Sequence, residues 1–281
     1  MGPCSPFHGR GYSTKVSGRN LCAKLRSSLP RSTVLAFRSF LLTLLIAFQV
    51  AQASEPQTVT LNFPSHESLA AAGDTIVIEL YRRIGYQVRE SRLPARRSIR
   101  ESDSGDSDGE VMRAAELESR FPDLIRVPEP LIEHDIVAFT AGNPALLPRG
   151  WDNLAGHTVC ARMGLLLVED KLGALPNVRV AYAEESEQVF RMLKAGRCEY
   201  AVLPRSAWIE AREAGVTGLA EATPALSHIT AYHFVNRRRA MLVPSLAAVL
   251  RQLRAEGYIA RVQADLDAQV AEAKAEMSPS R

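Results

Sequence analysis

Short strand-like runs alternate with stretches of helical periodicity along most of the chain, and this alternation constrains the fold more than any other feature. A β-branched run at 58–62 precedes a stretch in which apolar residues recur every three or four positions up to Gly85. A second run at 86–93 stops at Pro94, which can begin a helix. The order of strand, helix and strand predicts an α/β sheet with crossover connections.

The alternation falls into two series, separated by a loop rich in Pro and Gly that ends at Gly150. The first series ends in strand candidates at 109–113, 124–127 and 135–140, with a helical stretch at 114–120. The second contains strands at 158–161, 178–182 and 200–203 and helices at 165–172 and 186–195. A strand at 229–235 and a helical stretch at 243–268 follow. We therefore expect two α/β lobes.

The first 53 residues differ from the rest of the chain in charge. They contain seven basic and no acidic residues, and they end in an apolar run at 40–48 and the small-residue sequence Ala51-Gln52-Ala53. This order is typical of a secretory signal peptide cleaved after Ala53, which predicts a periplasmic protein. Two alternatives are a membrane anchor, which needs about 20 apolar residues, and a mitochondrial presequence, which would not explain the apolar run.

The remaining residues exclude several classes of function. They carry 27 Lys and Arg against 31 Asp and Glu, whereas a nucleic-acid-binding protein concentrates positive charge on its folded part. Phosphate loops, dinucleotide fingerprints and zinc-type His or Cys spacings do not occur. The Gly105-x-Ser107-x-Gly109 spacing lacks the strand before it and the helix after it that a nucleophile elbow needs. We expect a protein that is not an enzyme and holds no metal or cofactor.

Two cysteines, Cys160 and Cys198, lie beyond the signal peptide. Cys160 sits in one strand-like run and Cys198 just precedes another, so the two could be neighbours in one sheet. Export to an oxidising compartment makes a disulfide possible, and two buried free thiols are the alternative.

Four stretches together resemble bacterial periplasmic solute-binding proteins of the amino-acid-binding type, which serve ABC importers. They are Leu93-Pro-Ala-Arg-Arg-Ser-Ile99 with the turn into Asp108-Gly-Glu110, Leu124-Ile-Arg-Val-Pro-Glu-Pro-Leu131, Arg191-Met-Leu-Lys-Ala-Gly-Arg197, and the run at 232–239. The resemblance covers the chain from Thr58 to about Val262. It implies a two-lobed periplasmic-binding-protein-like α/β fold with a hinge. Lobe one would comprise 54–139 and 232–281 and lobe two 140–231, with crossings near 139–143 and 228–234.

The resemblance also implies a function. A monomer would capture a small polar ligand, an amino acid or a related compound, in the cleft between the lobes and deliver it to an ABC permease. One alternative is a periplasmic sensor that acts through a partner. Another is an enzyme on the same scaffold, since a few relatives of these receptors are dehydratases.

Candidate ligand contacts in lobe one follow from the needs of an amino acid, whose carboxylate calls for a guanidinium and whose ammonium calls for an acceptor. The resemblance points to Arg97 for the carboxylate. Asp108 and Glu110 occupy the turn that approaches the cleft in this family. Ser65 and His66 follow the first strand, and ligands gather beyond such strand ends. The alternative for each is a solvated helix face, turn or loop.

In lobe two, Arg162 and Gly164 lie between a strand and a helix, where free N–H groups can bind an anion. Glu185 precedes the helix at 186 and is our candidate for the ligand ammonium, against the alternative of an ordinary acidic residue at a helix start. One departure from the family is the sequence Gly196-Arg-Cys-Glu199, where relatives often have Gly-Arg-x-Asp.

Overall fold

Strands and helices alternate in the computed structural model much as the sequence pattern predicts. The structure describes residues 57–63, 67–142 and 148–278. The predicted signal peptide at 1–53 and the predicted contacts Ser65 and His66 lie outside the described residues.

The described residues form nine strands and seven α-helices. The strands are β1 (Gln57–Phe63), β2 (Tyr86–Arg92), β3 (Gly109–Ala114), β4 (Leu124–Ala141), β5 (Thr158–Arg162), β6 (Arg179–Ala183), β7 (Tyr200–Pro204), β8 (Leu219–Glu221) and β9 (Ser227–Asn236). The helices are α1 (Ser68–Arg83), α2 (Ala95–Ser104), α3 (Leu166–Gly173), α4 (Ser186–Lys194), α5 (Trp208–Glu213), α6 (Val243–Ala255) and α7 (Tyr258–Met277).

The strands join in the order β2-β1-β3-β9-β4-β7-β5-β6, and β8 pairs with β4. One end of the sheet is the parallel group β1, β2 and β3, and the other is the parallel group β5, β6 and β7. We call β1–β3 with α1, α2 and α6 lobe one, and β5–β8 with α3–α5 lobe two. The antiparallel strands β4 and β9 connect the lobes. The predicted α/β, two-lobed class is confirmed.

Strand β4 is longer than the sequence predicts. The runs at 124–127 and 135–140 belong to one strand of 18 residues, which continues through Pro128 and Pro130 with register shifts in its pairing to β9. Such irregularities let a strand tolerate proline, which has no N–H to donate to the ladder. From Ile136 onwards β4 also pairs with β7 and β8, and the predicted lobe bounds and crossings stay predictions.

Helix α1 shows how the pattern produces the core. Its residues Ile76, Val77 and Leu80 are fully buried against the sheet, while the opposite face is exposed. Gly85, which follows the helix, has φ +80°, a conformation that costs glycine little.

The C-terminal helical stretch is divided, because Gly257 adopts φ +71° and ends the run that the sequence predicts as one helix. The second part, α7, packs against α1 of lobe one and α5 of lobe two. No helix in the described ranges is long and apolar enough to cross a membrane.

The pairing that the sequence left open is a disulfide between Cys160 and Cys198, with the two Cα atoms 5.7 Å apart. It connects β5 to the start of β7, which are parallel neighbours in lobe two.

Candidate ligand-binding cleft

A cleft lies between the lobes, at the carboxyl ends of β1 and β3 on one side and of β5 on the other, with β4 and β9 beneath it. Ligand sites in open α/β sheets gather at such strand ends. Most of its lining is apolar, and the apolar residues come from both lobes and the connecting strands: Leu69, Met112, Leu117, Ile136, Leu165, Leu166, Leu167, Val168 and Ile229.

Arg113 brings a positive charge to the lobe-one wall of this cleft. Its Nε donates to Glu110 Oε2 at 2.8 Å, and its side chain is only 11% exposed. Glu110 lies beneath it, fully buried, and accepts further hydrogen bonds from the Ser98 and Ser102 hydroxyls. The guanidinium is thus held at the cleft wall by a fixed carboxylate.

Arg162 brings a positive charge from lobe two. It ends β5 and is buried, with its Nε 3.2 Å from Glu67 Oε2. Glu67 precedes α1 in lobe one, and its Oε1 accepts the backbone N–H of Ser186 at the start of α4 at 3.0 Å. This carboxylate therefore belongs to one lobe and contacts the other.

A second carboxylate makes the reverse connection. Glu210 on α5 accepts both the backbone N–H and the hydroxyl of Ser68, the first residue of α1, at 2.8 and 2.7 Å. The pKa of Glu210 is raised to about 7, mainly by burial and also by the nearby charge of Glu67, while the two bonds from Ser68 oppose the rise.

The mouth of the cleft carries exposed ion pairs between the lobes. Arg96 of α2 donates to Glu169 of α3 at 2.7 Å, and Arg120 pairs with Asp170 at 3.0 Å. Gly164 provides the tightest approach, since a Cβ added to it would stand 2.3 Å from the Cβ of Ala95. Glycine at this position lets the lobes touch.

A more polar recess adjoins the cleft beyond Arg162, which lines both spaces. Basic and acidic side chains face it together with apolar ones: Phe63, Arg92, Leu93, Arg96, Met163, Glu184 and Glu185. Both signs of charge therefore face this recess.

His134 on β4 lies in the floor of the cleft. Burial lowers the pKa of its imidazole to about 4, so the ring is neutral at pH 7. Its Nδ1 has no hydrogen-bond partner among the described residues. The floor therefore presents a neutral ring and leaves charge recognition to the walls.

The structure brings together some of the residues that the sequence singled out. Arg162 and Gly164 line the cleft, and Glu185 lines the adjoining recess. Glu110 is one step removed, because it holds Arg113 from beneath. Whether any of them contacts a ligand stays a prediction.

Two other predicted residues lie elsewhere. Arg97 is 68% exposed on α2, pairs with Glu101 and is absent from the cleft lining. Asp108 accepts the N–H of Thr60 and pairs with Arg239 at 2.8 Å within lobe one. Burial raises the pKa of Asp108, but the bonds from Arg239 and Thr60 outweigh burial and hold it below its usual value.

Sequence reasoning did not single out Arg113, Glu67 or Glu210 as parts of the site. Arg113 follows Glu110 by three residues, and this spacing predicts that the two side chains pair. It does not indicate which of the two faces the cleft. Glu67 and Glu210 lie 143 residues apart, and nothing in the local pattern connects them.

Comparison with known proteins agrees with this geometry at the level of the fold. No family model matches the chain. A protein of Shewanella oneidensis, described as uncharacterized, is 26% identical over 212 residues, which are 73% of this chain and 80% of that protein.

Solved structures of two-lobed binding proteins superpose on most of the chain. A mutant of ArgBP from T. maritima has a TM-score of 0.60 at 18% identity and covers 73% of this chain and 93% of its own. The GluR0 ligand-binding core in complex with L-glutamate has a TM-score of 0.63 at 14% identity and covers 76% and 99%. A histidine kinase sensor domain with similarity to periplasmic binding proteins has a TM-score of 0.62 at 17% identity and covers 75% and 97%. The chain therefore has the fold of periplasmic binding proteins.

Proposed function

We propose that this chain is a periplasmic solute-binding protein that captures a small ligand, an amino acid or a related compound, between its lobes for an ABC importer. It acts as an exported monomer and performs no catalysis. The observation that carries the proposal is the cleft at facing strand ends, to which each lobe contributes one nearly buried arginine, Arg113 and Arg162.

The lining also supports a class of ligand. Arg113 and Arg162 are each paired with a carboxylate of the chain itself, and the walls around them are mainly aliphatic. A ligand side chain placed there gains from apolar burial, whereas a second charged group would lose its hydration without a free partner. We therefore propose an amino acid with an apolar side chain, its head group in the polar recess, where basic and acidic side chains give each of its two charges a partner.

The test is a thermal-shift screen of the protein against amino acids, small carboxylic acids, polyamines and sugars. A ligand at 100 times its Kd adds about 2.7 kcal/mol, which raises Tm by several degrees in a chain of this size. We expect shifts from aliphatic amino acids that exceed those from arginine or glutamate.

Two variants with the same substitution locate the site. Arg113→Lys keeps the charge beside Glu110 but loses the planar fork, and we expect it to reduce the shift. Arg97→Lys changes an exposed arginine outside the cleft and should leave the shift unchanged. A shift lost in Arg97→Lys and kept in Arg113→Lys would favour the sequence prediction over the cleft described above. No shift in any class would refute small-molecule capture of these kinds.

A sensor is the second candidate, and one observation favours it: the fold is shared with a histidine kinase sensor domain. The neighbouring genes distinguish the two. Permease and ATPase genes beside this one support import, and kinase or cyclase genes in their place support sensing.

A further inference from the structure

Two carboxylates cross the boundary between the lobes in opposite directions. Glu67 of lobe one receives the first N–H of α4 in lobe two, and Glu210 of lobe two receives the first N–H of α1 in lobe one. The first N–H groups of a helix have no partner inside the helix, and the positive end of the helix dipole favours an anion there. Each lobe thus supplies the cap for a helix of the other.

Apart from Ser68, which is half-buried, the members of this arrangement are removed from water. Glu67, Arg162 and Glu210 are each 8% exposed, and Ser186 is fully buried. The pairs at the cleft mouth are more exposed: the side chains of Arg120 and Asp170 are 44% and 59% exposed, and in the other pair Arg96 is 53% and Glu169 12% exposed. Separating an exposed ion pair costs little free energy, because water replaces the lost partner. Separating the lobes would break the buried contacts, and their groups would have to become hydrated at the same time.

Glu67 also binds the groups in lobe two that are best suited to bind an anion. Arg162 and the N-terminus of α4 both point at its carboxylate. The cleft therefore contains a carboxylate of its own at the position where the two lobes meet.

We infer that Glu67 and Glu210 form a latch that holds the two lobes together without the help of a ligand. The latch sets the ratio of closed to open molecules and so controls access to the cleft. This inference rests on the proposed function only in treating the space between the lobes as the site that the latch controls.

The experiment measures the distance between the lobes in the full chain with no ligand added. Spin labels are attached through unnatural amino acids at Arg100 on α2 and Lys171 on α3, two exposed positions in different lobes. We expect the wild type to give mainly the shorter distance. Glu67→Gln and Glu210→Gln each raise the ratio of longer to shorter distances at least tenfold, and the double variant raises it further.

Matched controls separate the latch from a general effect of removing charge. Glu187→Gln alters a half-exposed acid in the first turn of α4 that pairs with Arg191 of the same helix, and Glu213→Gln alters an exposed acid on α5. Both should keep the wild-type distribution. Ser68→Ala removes one of the donors to Glu210 from the lobe-one side and tests the same contact if Glu210→Gln does not fold.

An unchanged distance distribution in the double variant would overturn the latch. This outcome is independent of the ligand screen, because no ligand is present in the measurement. A protein that opens in the double variant but binds none of the screened compounds would keep the latch and refute the proposed ligand.

Discussion

The two lobes bury polar groups in different ways. In lobe one, buried polar side chains bind one another: Asn62 donates to the Ser102 hydroxyl, Ser102 donates to Glu110, and Asn236 donates to the Ser102 carbonyl. His233, also fully buried, lies between the Tyr81 hydroxyl and the backbone of β3. Helix α2 and strands β1, β3 and β9 are thereby fixed to one another.

Lobe two contains a disulfide, and its buried polar groups serve another purpose. Arg162, Ser186 and Glu210 are directed at residues of lobe one. Partners within one lobe remain satisfied whatever the other lobe does, whereas partners across the boundary exist only when the lobes meet. The comparison suggests a rigid lobe one and a lobe two whose polar groups are committed to closure. Four measurements test this difference between the lobes.

Removal of Glu110 should have the largest effect. Glu110→Ala leaves Arg113 nearly buried without its carboxylate and takes the acceptor from two serines, so we expect a loss of about 3–5 kcal/mol in the free energy of unfolding. Urea unfolding measures it. Glu118→Ala breaks a more exposed pair of the same type, with Arg126, and should cost less than about 1 kcal/mol. Equal losses in both variants would show that the buried network contributes no more to the free energy of unfolding than an exposed ion pair does.

The disulfide should come next. It joins cysteines 38 positions apart, and closing a loop of that length in the unfolded chain corresponds to about 4 kcal/mol. We expect Cys160→Ala/Cys198→Ala to lower the unfolding free energy by that amount. A reducing agent should destabilise the wild type to the same extent and leave the double variant unaffected. A wild type that is insensitive to reduction would mean that apolar packing alone holds lobe two.

The third measurement is the pH dependence that His233 gives to lobe one. Burial lowers the pKa of His233 to about 4, below 6.5 in the unfolded chain. Between these values the unfolded chain binds more protons than the folded one, so stability falls by about 3 kcal/mol as pH drops from 6.5 to 4. Urea unfolding at pH 7 and pH 4.5 should show a smaller loss in His233→Gln than in the wild type. Identical losses would exclude His233 as a source of acid sensitivity.

The smallest effect on stability should come from two glycines of lobe two. Gly156 and Gly164 have φ +79° and +85°, and alanine at either position costs about 1 kcal/mol in strain. A Cβ at Gly156 meets no atom within 4 Å, whereas one at Gly164 meets Ala95 of lobe one. Gly164→Ala should therefore also lengthen the distance between the lobes, and Gly156→Ala should not. Equal distances in the two variants would show that the lobes do not approach at Gly164.

The order of strands and helices could be predicted because the periodicity of apolar residues is local. Helix α1 and strands β5, β6 and β7 fall within a residue or two of the predicted bounds. The sequence does not predict β4 as one strand, because its two prolines indicate that strand pairing ends there. The register shifts against β9, which let the strand continue, are visible only in the structure.

The site could be predicted only in part. Arg162 and Gly164 lie where a strand ends and a helix begins, and that position alone places them at the strand ends where the cleft forms. The sequence context of Arg97 resembles a ligand contact, but the side of α2 that faces solvent depends on how Ser98 and Ile99 pack beneath it. The carboxylates of Glu67 and Glu210 meet their partners only through the relative placement of the two lobes.

Helix α7 has a consequence for any motion of the lobes. Its 20 residues span about 30 Å. It packs on α1, and near its end Lys274 pairs with Glu221 at 3.0 Å and the Met277 carbonyl accepts the N–H of Gly218. A stiff helix that contacts both lobes cannot move with both of them when they rotate apart. Its contacts with one of the lobes must therefore change. An environment-sensitive dye near that end would report rotation of the lobes from a position outside the cleft, which makes this helix a natural place to build a sensor of that motion.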